Sequence, residues 1–195
     1  MSELTALERA LASIARALDA RKRPFALIGG LAVSIRAEVR FTRDVDLAVA
    51  VADDADAERL VLDLRADGYR AMVSVEHETQ KRLSTIRLAS PEGVKVDLLF
   101  ASSGIEAEIT SRAIRESLPS GELPVARCEE LLALKVLSMG DDRLQDRVDG
   151  QRLLTLGRDL DLSVVRANLA LITERGFHRN QDLPAKLASL QKEVQ

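Results

Sequence analysis

The chain has 195 residues, 46% hydrophobic and 30% charged, with a net charge of -3. That length suits one domain, or a core with a helical extension, and can bury a sizeable core. Aromatics are only 3% and the balance is acidic, so neither broad base stacking nor a global basic field announces a nucleic-acid partner. A single cysteine, Cys128, excludes an internal disulfide and suits a reducing compartment. Two distant histidines, His77 and His178, cannot build a zinc-type cluster. The N-terminal segment is amphipathic and no run is long enough to span a membrane, so a cytoplasmic location and no membrane partner are expected.

In chain order, Leu4, Leu7, Leu11, Ile14 and Leu18 recur at helical spacing and predict an amphipathic helix over 3–21. Pro24 ends it. Phe25–Ile28 reads as a short buried strand broken by Gly29-Gly30, with a helix to follow over 31–37. Val45, Leu47, Val49 and Val51 alternate with Asp44, Asp46, Ala48 and Ala50, which predicts a strand with one face in the core. Asp53 and Asp54 offer an N-cap for a helix over 55–66, closed by Gly68. Strands are expected over 69–76, 83–89 and 94–100, the last two joined as a hairpin by Ser90-Pro91-Glu92-Gly93. Segment 101–126 is expected to hold a short helix and one or two strand pieces. Helices follow over 128–139, 142–156, 162–175 and 183–194. The expected organisation is an α/β core over 1–126 and a helical subdomain over 127–195.

On a strand, Asp44 and Asp46 point the same way, their Cα atoms roughly 6–7 Å apart. Adjacent carboxylates repel unless a cation lies between them, and hard divalent ions prefer oxygen ligands. In Val94–Phe100, Lys95 and Asp97 face away from Val94, Val96 and Leu98, so Asp97 is placed to join the pair from another strand. Three convergent acids suit two-metal phosphoryl transfer. Gly29-Gly30, between a strand and a helix N-terminus, suits close approach of a phosphate. Each piece alone also has a bland reading: a solvated strand edge, a turn, a surface acid.

Together, Ile28-Gly29-Gly30, Asp44-Val45-Asp46-Leu47 and Val96-Asp97-Leu98 resemble the signature of the DNA polymerase β superfamily of nucleotidyltransferases. Glu130–Lys135 and Asp142–Asp149 are similar to later motifs of the AbiEii-type nucleotidyltransferase toxins of type IV toxin–antitoxin systems. This chain has Gly150 where such proteins often carry Leu. The resemblance implies a polymerase β-like α/β fold with a short mixed sheet. It also implies transfer of NMP from an NTP to an acceptor hydroxyl, with pyrophosphate release. Asp44, Asp46 and Asp97 would be catalytic and would bind two Mg²⁺ ions, or Mn²⁺. Asp97 would accept the acceptor's proton. Gly29, Gly30, Arg43, Lys135, Asp142 and Asp146 would bind nucleotide.

Lys135 also stands out directly, as a lysine inside the apolar stripe of Cys128, Leu131, Leu132, Val136 and Met139. It either snorkels or points at a triphosphate, Asp142 or Asp146. Asp142, Asp146 and Asp149 would share one helix face. Arg40 and Arg43, just before the Asp pair, would contact phosphate or acceptor, or be surface charges. Lys81, Arg82 and Arg87 would be solvated or touch a nucleic-acid acceptor. Cys128 reads as core.

The residues do not name the acceptor; the AbiEii-type resemblance implies a toxin acting on RNA such as tRNA, or on a protein, with a cognate antitoxin or toxin protein as partner. Two alternatives stand beside this: a small-molecule, antibiotic-type nucleotidyltransferase with a closed acceptor pocket, and a non-catalytic nucleotide-binding or antitoxin-like module.

Overall fold

The computed structural model describes residues 4–77, 82–140, 142–157 and 159–194. Helix α1 (Ala6–Ala20) opens on a capping box. The Thr5 side chain accepts from Glu8 N–H, and the Glu8 carboxylate accepts from Thr5 N–H at 2.7 Å. Its Leu11, Ile14 and Leu18 are buried as the spacing requires.

Then come β1 (Phe25–Ile28), α2 (Gly29–Arg36), β2 (Asp44–Val49), α3 (Asp54–Ala66), β3 (Arg70–Glu76), β4 (Leu83–Ala89) and β5 (Lys95–Leu99). Asp53 caps α3, accepting from Asp56 N–H at 2.8 Å. Segment 101–126 yields α4 (Glu106–Arg112) and the antiparallel pair β6 (Ile114–Leu118) and β7 (Gly121–Val125). The C-terminal helices are α5 (Cys128–Ser138), α6 (Leu144–Leu156), α7 (Leu162–Glu174) and α8 (Leu183–Lys192).

The seven described strands form one mixed sheet in the order β3-β4-β5-β2-β1-β7-β6. Two pairings, β2 with β5 and β1 with β7, are parallel and the rest antiparallel. The expected hairpin is β4–β5, with Gly93 N–H donating to Ser90 O at 2.9 Å. One row of cross-strand partners runs Ile28, Asp46, Asp97, Arg87, Val73 through β1, β2, β5, β4 and β3. Partners in a row share a face of the sheet. Val45 and Leu47 point the other way, into a core that also takes Leu18, Leu27, Leu60 and Leu98.

Two expectations need correction. Helix α6 starts at Leu144, not at 142, because Arg143 closes a turn onto Gly140 O at 3.0 Å and has non-helical backbone angles. Asp142 therefore does not share a helix face with Asp146 and Asp149. Helix α5 is also not a one-stripe helix. Glu129, Glu130, Ala133 and Leu137 are buried along with the predicted stripe, as in a helix surrounded by protein. Cys128 is buried there, as expected of a core residue.

Candidate active site

Strand alternation puts Asp44 and Asp46 on one face of β2, and the parallel pairing with β5 sets Asp97 directly beside Asp46. The crowding has an electrostatic consequence. Burial, then the negative charge of Asp97, pushes the Asp46 carboxyl up to about 6, with Asp44 adding and Lys135 opposing. Asp97 does not stand open. Arg87, its neighbour on β4, donates Nε to Oδ1 at 2.8 Å and Nη2 to Oδ2 at 2.7 Å, a bidentate fork. Lys95 Nζ lies 4.0 Å from Asp44 Oδ1.

The two glycines make this packing possible. Gly29 has φ +63°, and a Cβ there would fall on the Asp46 carboxylate. A Cβ on Gly30 would meet the Arg40 guanidinium. The close approach read from Gly29-Gly30 is thus made first by side chains of this chain. The Gly30 N–H faces Asp46, and helix α2 starts at Gly29, so its N-terminal amides open at the acids.

Opposite the sheet, α5 and α6 carry a chain of ion pairs. Lys135 is buried, and its Nζ lies 2.7 Å from Asp146 Oδ1 and 2.9 Å from Asp149 Oδ2. Arg143 Nε lies 2.7 Å from Asp146 Oδ2, and Arg40 Nε lies 2.9 Å from Asp149 Oδ1. Burial alone would raise Asp149, yet Lys135, Gln145 and Arg40 hold its carboxyl below the usual range. Of the two readings of Lys135, snorkelling is excluded and pairing with Asp146 holds.

The acids and this network border one cleft with two connected lobes, which share Gly29, Asp46, Lys135, Arg143 and Asp146. The outer lobe adds Gly30, Arg40, Thr42, Asp44 and Asp142 and opens to solvent. The inner lobe adds Ile28, Leu99, Leu131, Ser102, Ser103 and Arg179. Among the described residues, no three His, Cys, Asp or Glu side chains already form a metal cage. Asp44, Asp46 and Asp97 offer carboxylate oxygens, the donor type hard divalent cations take, and Asp46 stays raised despite Lys135.

The model of the family described as nucleotidyl transferase AbiEii toxin, type IV TA system, matches residues 9–194. The chain belongs to the AbiEii nucleotidyltransferase toxin family. It is accordingly a nucleotidyltransferase, as the sequence motifs implied. No curated protein matches it. Similar solved structures include the antibiotic-resistance factor ANT(2'')-Ia with adenylyl-2''-tobramycin, at 16% identity and TM-score 0.54, covering 88% of this chain and 99% of that one. A solution structure of ANT(2'')-Ia matches at 16% identity and TM-score 0.52, covering 95% and 97%. The lincosamide antibiotic adenylyltransferase LnuA, bound to lincomycin, matches at 17% identity and TM-score 0.50, covering 79% and 99%. At these identities the likeness shows the fold, a nucleotidyltransferase fold.

In this AbiEii-family chain the cleft gathers Gly29, Gly30, Asp44, Asp46, Lys135, Asp142 and Asp146, with Asp97 one strand behind. Arg43 lies outside. It is exposed, with its guanidinium over the Phe41 ring at 5.1 Å from the centroid, and Arg40 reaches the cleft in its place. The basic group at 81–87 is not simply solvated. Arg82 pairs with Asp54 at 3.2 Å and Arg87 with Asp97, while Lys81 lies outside the described residues. The sequence reading named Arg87 without its partner Asp97, and it did not single out Arg179 of the inner lobe. Arg87 had a usable signal: counting outward from the Ser90–Gly93 turn sets it opposite Asp97. Arg179, in the turn between α7 and α8, had none. No helix among the described residues is long and apolar enough to cross a membrane.

Proposed function

We propose that the chain transfers a nucleoside monophosphate from an NTP to an acceptor hydroxyl, releasing pyrophosphate. The observation that carries this reading is the row Ile28, Asp46, Asp97, in which the Asp46 carboxylate occupies the space left by Gly29 at the start of α2. Residues 1–126 would present the acids and glycines, and 127–195 would close the site with Lys135.

Asp44 and Asp46, with Asp97 completing the set, would hold Mg²⁺, or Mn²⁺. Ions bound there would polarise phosphate oxygens and acidify the acceptor hydroxyl. The protein's own groups supply the rest. The N-terminal amides of α2 at Gly29 and Gly30 would receive phosphate oxygens. Lys135, oriented by Asp146, would face the charge that develops on the triphosphate. Asp142 would line the outer lobe where the substrates enter. The acceptor oxygen attacks the α-phosphorus, the bond to the pyrophosphate oxygen breaks, and Asp97 takes the hydroxyl proton once Arg87 yields one carboxylate oxygen.

A toxin role follows if the acceptor is RNA, such as tRNA, or a protein, with a cognate antitoxin opposing it. The outer lobe, open to solvent, favours such a large acceptor over the closed pocket that a small antibiotic-type acceptor needs. The test is incubation with each NTP labelled at the α-phosphate, Mg²⁺, and total RNA or lysate, beside Asp44→Ala. Label on RNA or protein that disappears in the variant is expected. Label that persists in the variant, or no transfer from any NTP, overturns the reading.

A further inference from the structure

The inner lobe of the cleft is electrostatically unlike the outer one. Both lobes share Asp46, Asp146, Lys135 and Arg143; the outer lobe adds Asp44, Asp142 and Arg40, whereas the one charge the inner lobe adds is Arg179. Arg143 and Lys135 both lean on Asp146, at 2.7 Å each. Arg179 has no carboxylate partner among the described residues. Its Nη2 donates only to Ser102, to the backbone O at 3.2 Å and to Oγ at 3.4 Å.

Its aim is built in. The Ser102–Gly104 segment that receives it is tied down by buried Glu106. That carboxylate accepts from Ser102 N–H at 2.9 Å, Ser103 N–H at 2.7 Å, Ser103 Oγ–H at 2.9 Å and Gly104 N–H at 3.0 Å. Arg179 and Asn180 both hold left-handed backbone, φ 55° and 56°, which non-glycine residues adopt at a cost. Arg179 is exposed; what burial it has, then the nearby Arg143 guanidinium, disfavour its charged form, and the Glu106 carboxylate favours it. A third cation, Lys186, is disfavoured by burial and by Arg179 and favoured by Asp146, and its Nζ donates to Met139 O and Gln181 Oε1. A guanidinium does not shed its proton, so Arg179 keeps its charge, and an anion bound between it and Arg143 would be held by both.

We propose that Arg179, facing Arg143 across the inner lobe, is the clamp for the terminal phosphates of the incoming nucleotide. Planar guanidinium forks match phosphate oxygens, and two from separate turns can grip one group from both sides. The proposal rests on the nucleotidyl-transfer reading for the identity of the ligand. The site itself calls for a polyphosphate anion.

The test is calorimetric binding, without Mg²⁺, of NTP, NMP and inorganic tripolyphosphate to the full chain and to Arg179→Ala and Arg179→Lys. Losing one charge-assisted contact should weaken NTP and tripolyphosphate about tenfold or more in Arg179→Ala, with Arg179→Lys between and NMP nearly unchanged. Unchanged NTP affinity in Arg179→Ala, or an equal loss of NMP and NTP in both variants, overturns the clamp. If the wild type transfers label yet Arg179→Ala keeps full NTP affinity, the clamp falls and the transfer reading stands. If tripolyphosphate binding depends on Arg179 but no transfer occurs, the clamp stands and the transfer reading falls.

Discussion

Two groups of carboxylates face each other across the cleft, and the same chemistry is handled in opposite ways. On α6, Asp146 and Asp149 are buried but carry built-in counter-charges, Lys135, Arg143 and Arg40, and Asp149 sits below the usual range. On β2, Asp44 and Asp46 crowd Asp97, and although the Arg87 fork, a distant Lys95 and the field of Lys135 reply, Asp46 is still pushed up to about 6. The first group is satisfied by the fold and rigidifies it. The second keeps a carboxyl raised by its neighbours, the electrostatic condition under which the proposed divalent cation would bind.

The comparison predicts different losses on the two sides. The largest belongs to β2: Asp46→Ala should cut nucleotidyl transfer at least about a thousandfold, read as label transfer, while the protein still folds. Lys135→Met should lower transfer and, unlike Asp46→Ala, also cost stability. It strands Asp146 and Asp149 in the interior and should cost about 3–5 kcal/mol in denaturant unfolding. A cost below about 1 kcal/mol would mean that the network is not buried in solution.

The pH dependence separates the groups further. A carboxyl raised by folding from 3.8 to about 6 favours the protonated folded state, so its stabilising contribution is complete below the unfolded value. It is lost as pH rises through about 6, an upper bound of about 3 kcal/mol. Between those pH values, metal-free wild type should lose stability relative to Asp46→Asn. Parallel curves would remove the strain assigned to Asp46. A smaller effect is expected at Gly29. Alanine there must adopt φ +63° and displace the Asp46 carboxylate, costing about 1–3 kcal/mol in unfolding free energy.

Which features were legible in the sequence follows from how local their causes are. The period-2 pattern of β2 placed Asp44 and Asp46 on one face, and the same alternation in β5 turned Asp97 away from the core, because side-chain direction in a strand is fixed by the backbone. The strands β6 and β7 were only partly legible. Most of their residues are not buried, and Pro124 interrupts the pattern. The start of α6 was misplaced because Asp142 and Arg143 look helical by spacing, while the turn at Gly140 decides otherwise. The partners of Arg40, Arg87 and Arg179 depend on register and on how the helices pack onto the sheet. The glycine pair was recognisable, but its first tenants, Asp46 and Arg40, became visible only once α2 was in place.

The claim that the β2 carboxylates take a cation from solution is tested most directly by Mn²⁺ binding, followed by electron paramagnetic resonance near neutral pH. The wild type and Lys135→Arg, which keeps the counter-charge of the α6 acids, should bind the ion, and Asp44→Asn/Asp46→Asn should not. Wild-type affinity in the double variant would contradict the account and move the metal away from β2.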